Sequence, residues 1–459
     1  MNTTDPRDTI ANSPMSSLQT IAVALTLALC ALDGFDVLSI SFASPGIARE
    51  WGINQGALGI VLSMELIGMA IGSLLLGGIA DKIGRRKTIL ACLVLMTIGM
   101  FMATQVYGLI DLSIWRILTG LGIGGMLAAI TATAAEFSNS RRRDFAVSIM
   151  SIGYPIGAVV GGTIVALLLE GNNEYWRRVF YFGAAVTALF IPLVYFFVPE
   201  SIHWLARKQP EGALEKINAT LRRMGHETIA ALPEVKLEER QRSIGDIFSP
   251  ALVRITVLLT AAYFLHITTF YFIIKWIPEI VVRMGFDISQ AGGVLVWTNV
   301  GGATGGAVLA FLTLRFGVKG LAIGALVLST VLVTIFGRSP ADLERLSLIS
   351  AFAGFFTNAA IVGLYALFAR SFPTHVRAFG TGFAIGVGRG GSVLAPIIAG
   401  FLFEGGVGLP TVAIIMSVGS LVAAGLLLLL KLKPEKAIPA EAESEPSEVP
   451  DLEPSAAST

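Results

Sequence analysis

The sequence predicts an all-α membrane protein of twelve transmembrane helices, arranged as two six-helix halves. Three observations predict it. The chain of 459 residues is 54% hydrophobic and only 14% charged, whereas a soluble domain carries about a quarter charged residues. Its mean hydropathy is +0.74. Stretches of the ~20 mostly apolar residues that a membrane helix needs recur along the chain, and one long polar segment splits them six and six.

Residues 1–18 form a polar segment with no basic run, expected to lie in the cytoplasm. The apolar stretch that follows, 19–48, contains Asp33 and Asp36 and no clear small-residue cleavage site. It is therefore expected to be a retained helix and not a signal peptide. Stretches 56–80, 88–107, 112–136, 144–170 and 177–198 complete the first bundle, 19–198. Residues 199–250 read as a cytoplasmic linker without a separate soluble domain, holding one short surface helix in EGALEKINATLRRMG. The second bundle, 251–431, takes spans 252–281, 289–314, 319–337, 344–369, 378–404 and 410–431. The tail, 432–459, is rich in Pro, Glu and Ser with little apolar surface to bury, so disorder is expected there.

Lys and Arg in the loops set the orientation. With the N-terminus inside, the cytoplasmic side receives Arg7, Lys82, Arg85, Arg86, Lys87, Arg141, Arg142 and Arg143. It also receives the basic residues of 199–250, Arg315, Lys319, Arg370, Arg377, Lys431, Lys433 and Lys436. The opposite side has only Arg49, Arg177, Arg178, Arg283, Arg338 and Arg345. Both termini are expected inside.

The two halves are weakly repeated. One constant offset carries DKIGRRK (81–87) onto LRFGVKG (314–320) and IGYPIG (152–157) onto IGVGRG (385–390). Repeats of this kind mark transporters whose substrate site lies near the bilayer midplane between the halves. Other classes lack support. A net charge of +1 argues against nucleic acid, and no Cys/His cluster suits a metal. Cys30 and Cys92 read as inert, and there is no G-x-x-x-x-G-K-[ST] loop for ATP.

GGIADKIGRRK (77–87) resembles the hallmark loop of the major facilitator superfamily, G-x-x-x-D-x-x-G-R-[RK], with Asp81, Gly84, Arg85 and Arg86 at its fixed positions. RILTGLGIGG (116–125) and VPESIHWL (198–205) resemble further motifs of that superfamily. DGFD (33–36), AAEFSNSRRR (134–143) and FPTHVRAFGTGFAIGVGRGGSVLAPIIAG (372–400) are similar to the aromatic acid:proton symporters, bacterial permeases for hydroxybenzoate, vanillate, muconate and related carboxylates. The resemblance implies the major facilitator fold and a place in the bacterial cytoplasmic membrane. Its partners would be a small organic acid, protons and the lipid bilayer. It implies a monomer with no cofactor, driven by the proton gradient, and no enzymatic activity. In one departure, Leu314 stands where the second copy of the loop would carry its acid, so only the first copy is expected to act as a latch.

Charges inside the membrane are the candidate site. Asp33 and Asp36 share one face of the first span, and Arg116 enters the fourth. These three could be a buried ion pair joining the two spans. The functional reading is a proton site, because burial favours a protonated carboxyl and a neighbouring arginine favours the carboxylate. The family resemblance implicates the first-span acids in coupling. Arg389, among small residues in GVGRGGS, is the expected anchor for a substrate carboxylate, since a guanidinium binds one bidentately. A pair with an acid on another helix is the alternative. Arg116 is a second candidate in the substrate path.

His266 falls opposite Asp33 at the repeat offset and is a candidate for hydrogen bonding or proton relay, or for packing. Tyr154, Tyr271, Trp297, Asn299, Asn358 and Tyr365 lie in spans that line the cavity in this superfamily. Lys275 and Glu279 are expected to pair at the outer interface with the lysine snorkelling. In the latch loop, Asp81 is expected to face the start of span 11 or pair with Arg141, and Glu136 to engage Arg85 or Arg86. Those contacts are expected only when the inner gate is shut. The resulting expectation is proton-coupled import of an aromatic or related carboxylate. A proton-coupled exporter of drugs or metabolites on the same fold is the alternative, and a non-transporting membrane sensor a more remote one.

Overall fold

The computed structural model describes residues 5–170, 175–233, 247–250, 252–313, 315–372 and 376–430. Leu314, part of the linker and the acidic tail from residue 431 lie outside them. Among the described residues the chain forms fifteen helices, twelve of them long and apolar enough to cross a membrane. The first half is α2 (Ser17–Trp51), α3 (Gln55–Ile83), α4 (Arg85–Ala103), α5 (Leu109–Glu136), α6 (Arg143–Leu168) and α7 (Arg177–Phe197). The second half is α10 (Val253–Arg283), α11 (Ile288–Leu312), α12 (Val318–Gly337), α13 (Leu343–Ser371), α14 (Arg377–Glu404) and α15 (Leu409–Leu429). Three short helices complete the set: α1 (Pro6–Asn12), α8 (Ile202–Lys208) and α9 (Ala213–Met224).

Helix ends follow local chemistry. Ser16 opens α2 with a reciprocal capping box to Gln19, and the left-handed Gly52 (φ +59°) closes it. Asn54 caps α3 through the Ala57 N–H. The surface helix expected in 211–225 is α9, while α1 was not anticipated in the polar N-terminal segment. Together α1, α8 and α9 bury Ile10, Ile202, Leu205, Ile217 and Leu221 against Leu18 and Phe137.

Glycine sets how closely the helices approach within each half. A Cβ on Gly157 of α6 would lie 1.6 Å from the Ala31 carbonyl of α2, and one on Gly34 would lie 2.0 Å from that of Tyr154. This backbone contact holds the DGFD turn against α6. It is the small-residue packing that replaces hydrophobic drive inside a bilayer.

The halves meet at one end and part at the other. At the end away from α1, a single apolar core draws on both halves, joining Ile47, Leu58 and Leu62 to Phe272, Trp276 and Ala399. Gly59 and Gly400 let α3 and α14 touch there, and a Cβ on Gly59 would sit 2.3 Å from the Pro396 carbonyl. Asn54 donates to Glu404 at 2.7 Å, and Gln55 donates to Glu279 at 3.3 Å. Toward the α1 end the cores separate into one per half. Gly78 on α3, and Gly382 and Gly386 on α14, have nothing within 4 Å of a built Cβ. The molecule is closed at one face and open at the face carrying the loop between α3 and α4.

Gly157→Val should therefore lower the thermal midpoint of the detergent-purified protein, at a cost of at least about 1–3 kcal/mol from forced backbone shifts. Gly324→Val, with open space around the position, should melt within about 2 °C of wild type.

Candidate functional site

At the waist, α2 carries Asp33 and Asp36, which are 1% and 0% exposed; no hydrogen bond of ordinary geometry reaches their four carboxyl oxygens among the described residues, and the Thr187 hydroxyl of α7 stands beside Asp36. The neighbouring cations are committed elsewhere. Arg116 of α5 forms its ion pair with Glu65 of α3, at 2.6 Å. It donates to the Asp36 main-chain oxygen at 3.1 Å and to Met100 Sδ at 3.1 Å, and lies over the Phe180 ring. The expected pairing of Arg116 with the first-span carboxylates is thus corrected. Arg116 touches the backbone of Asp36 and spends its charge on Glu65.

Glu65 also faces Lys275 of α10, 3.6 Å away. Lys275 donates in turn to the Val37 main-chain oxygen on α2. Glu65, Arg116 and Lys275 are all fully buried. The reading of Lys275 and Glu279 as an interfacial pair fails. Lys275 points inward across the boundary between the halves, and Glu279 pairs with Arg283 at 3.1 Å. The sequence places Glu65 in the outer part of the second span and leaves its role open. The available signal was an acid and a lysine at similar depth in two different apolar spans.

On the second half, Arg389 is partly buried at mid-α14 and has no carboxylate within 4 Å among the described residues. Its charge acts on Asp33, Tyr263, Tyr271 and Tyr365. Tyr263 and Tyr365 share a hydroxyl–hydroxyl hydrogen bond of 3.1 Å. Tyr271 meets Tyr154 from the facing half. Tyr154, Tyr271 and Tyr365 therefore gather where expected, joined by Tyr263, which the sequence reading overlooked. Asn358 donates to the Gly302 carbonyl at 2.6 Å and Asn299 to Leu295 at 2.9 Å, so both amides have a helix partner and keep one acceptor.

Two candidates lie elsewhere. His266 is fully buried, with Nδ1 2.8 Å from Ser420 Oγ and Nε2 2.8 Å from the Thr357 carbonyl. A carbonyl only accepts, so Nε2 carries the hydrogen, and both ring nitrogens are used in joining α10, α13 and α15. His266 is corrected from a candidate ligand to a packing residue. Trp297, 54% exposed, lines an apolar groove of about 650 Å³ between α11 and α13 with Leu348, Phe352 and Phe355. The tyrosine cluster lies off this groove.

The profile of the Major Facilitator Superfamily matches residues 25–319 and 259–456. The chain belongs to the Major Facilitator Superfamily. As a member it is a transporter and not an enzyme, and a multi-pass inner-membrane protein. It is 28% identical to the gallate transporter of Pseudomonas putida, over 92% of this chain and 93% of that one. It is 29% identical to the 4-hydroxybenzoate transporter PcaK of Acinetobacter baylyi, over 87% and 88%. In fold it resembles the inward-open xylose transporter XylE from E. coli, with a TM-score of 0.67 and 19% identity over 92% of this chain and 98% of that one.

The superfamily's hallmark loop is knotted within the first half. Gly84 (φ +108°) has no room for a side chain, because a Cβ would lie 2.3 Å from Glu200 Oε2. Glu200, from VPESIHWL, accepts from the Arg85 and Arg86 N–H groups at the start of α4. That is a charged cap on a helix N-terminus. Arg85 bridges Asp81 at 2.7 Å and Glu136 at 3.0 Å. Arg86 donates to the Tyr195 carbonyl. Asp81 also meets Arg207 at 3.2 Å, and Trp204 donates to its main-chain oxygen. Glu136 engages Arg85 as expected, but Asp81 takes Arg85 and Arg207, not the exposed Arg141. These pairs exist with this face open and join the first half only to itself and to the linker residues around α8. They brace α3, α4, α5 and α8 and do not report closure.

His266→Phe should lower thermal stability, since losing a buried hydrogen bond leaves its partner unsatisfied at about 1–3 kcal/mol. Ligand Kd of the folded fraction, measured by isothermal titration, should stay within about twofold of wild type.

Proposed function

We propose that this protein is a proton-coupled symporter that imports an aromatic or related carboxylate by alternating access, with both termini in the cytoplasm. The observation that carries the reading is Arg389, a guanidinium at mid-membrane without a carboxylate partner among the described residues, beside three tyrosine rings. A cation held there unpaired is costly, and a bound organic anion offsets that cost through bidentate charge-assisted hydrogen bonds. Tyrosines supply flat apolar faces for an aromatic ring and hydroxyls for its substituents. Relatives named for gallate, 4-hydroxybenzoate and benzoate transport support this cargo class. With the basic loops inside, the open face is the cytoplasmic one, and the molecule stands ready to release its cargo.

The proton has an energetic rationale. An inside-negative potential opposes anion entry by about 2.3 kcal/mol per charge per 100 mV. One co-transported proton cancels that work and a second makes the potential assist. Asp33 and Asp36 are the fitting carriers. Both are buried with no hydrogen bond of ordinary geometry to a carboxyl oxygen among the described residues, so whether either holds a proton depends on which cations stand beside it. An exporter of cationic drugs on the same fold is disfavoured by the guanidinium at the waist.

The decisive experiment is uptake of radiolabelled aromatic acids into proteoliposomes, with and without an imposed inside-alkaline pH gradient. Arg389→Ala should weaken cargo binding by at least about thirtyfold, from the ~2 kcal/mol or more of a lost charge pair. Asp36→Asn should still exchange cargo but lose accumulation driven by the gradient. Full accumulation by that variant places the proton site elsewhere.

A further inference from the structure

Among the described residues, Lys275 is the charge of the second half that forms an ion pair inside the charged pocket of the first. It sits toward the closed end of α10, and both polar partners recorded for its ammonium belong to the opposite half: Glu65 on α3 at 3.6 Å and the Val37 carbonyl on α2. Its own charged neighbours are Glu65 on α3 and Arg116 on α5, and through these two it is linked to Asp33 and Asp36 on α2, with Tyr154 on α6, Tyr271 on its own helix and Arg389 on α14 completing the cluster. With Lys275 docked, the pocket holds two cations, Arg116 and Lys275, against the one paired carboxylate, Glu65. That surplus accommodates one further negative charge, which Asp36 beside Arg116 provides by giving up its proton. When the outer ends of α2, α3 and α10 separate, Lys275 leaves with its own half. The pocket then keeps one cation for Glu65, and an ionised Asp36 has no counter-charge left.

We propose that Lys275 is the travelling counter-charge that couples proton movement to gating. It docks as the outer gate closes and expels the proton of the first-span acids toward the cytoplasm, and it withdraws as that gate opens, so that they reload from outside. The proton moves between Asp36 and water on either side, and Lys275 keeps its charge throughout. The sign is that of import: proton loaded outside, released inside. This inference rests on the symport reading above, but it assigns to a residue of the second half the coupling that the motifs place only in the first.

The test compares two assays in proteoliposomes: gradient-driven accumulation of the cargo, and counterflow exchange, which needs no net proton movement. Lys275→Met should lower the ratio of accumulation to exchange by at least about tenfold, the loss of one coupling free energy. Lys275→Arg, which still delivers a positive charge, should keep the ratio within about threefold of wild type. A role confined to packing would lower both assays together and leave the ratio unmoved, which overturns the proposal. If wild type responds to the gradient and Lys275→Met responds equally, Lys275 is excluded and the symport reading stands. If wild type itself ignores the gradient, the symport reading fails first. Should Lys275→Met exchange nothing, Lys275→Cys treated with a reagent that appends an aminoethyl group decides: recovered gradient response supports the proposal, and none overturns it.

Discussion

The buried carboxylate of Glu65, shared by Arg116 from its own half and Lys275 from the other, organises the rest of the molecule. In the hydrocarbon core an isolated charge is expensive, so each of these three groups is held in place by the need of the other two. The first half alone could satisfy Glu65 through Arg116. Adding Lys275 makes part of the electrostatic balance depend on where the second half stands. A packed interface tends to have discrete arrangements and does not deform smoothly, and a charge that crosses it gives each arrangement its own preferred protonation.

Around this centre the structure divides its labour by depth. At the closed face, small residues on α3 and α14 and the Asn54–Glu404 and Gln55–Glu279–Arg283 contacts join the halves. The Asn54–Glu404 contact is exposed and worth little, while Gln55–Glu279 is buried; so few polar links leave the two halves separable. At the open face the hallmark loop is bound with several charge-assisted hydrogen bonds into one half only. It gives that half the rigidity to move as a body. Between the two lies a waist where Arg389 with Tyr263, Tyr271 and Tyr365 waits on one half and the acids with Tyr154 on the other, so that cargo and proton meet across the same boundary.

Much of this was legible in the chain. Span number and ends were read to within a few residues, as with 56–80 against Gln55–Ile83 and 289–314 against Ile288–Leu312. The hallmark loop, Glu136 with Arg85, and the grouping of Tyr154, Tyr271 and Tyr365 with Arg389 were also anticipated. The misreadings share a cause. Pairing Arg116 with Asp36, counting His266 and Trp297 as ligands and sending Lys275 to the interface each required knowing which way a side chain faces and what stands opposite.

Sequence by itself determined what is local: hydropathy along the chain fixes where helices cross lipid, glycine at Gly84 and Gly157 fixes turns and close approaches, and caps such as Ser16 fix helix starts. Only the tertiary structure decided the partners. Side chains turn by about 100° per residue around a helix, so a small rotation or tilt of α10 exchanges lipid for a carboxylate in front of Lys275. That rotation is set by the summed packing of all twelve helices, a quantity no short stretch of the chain contains.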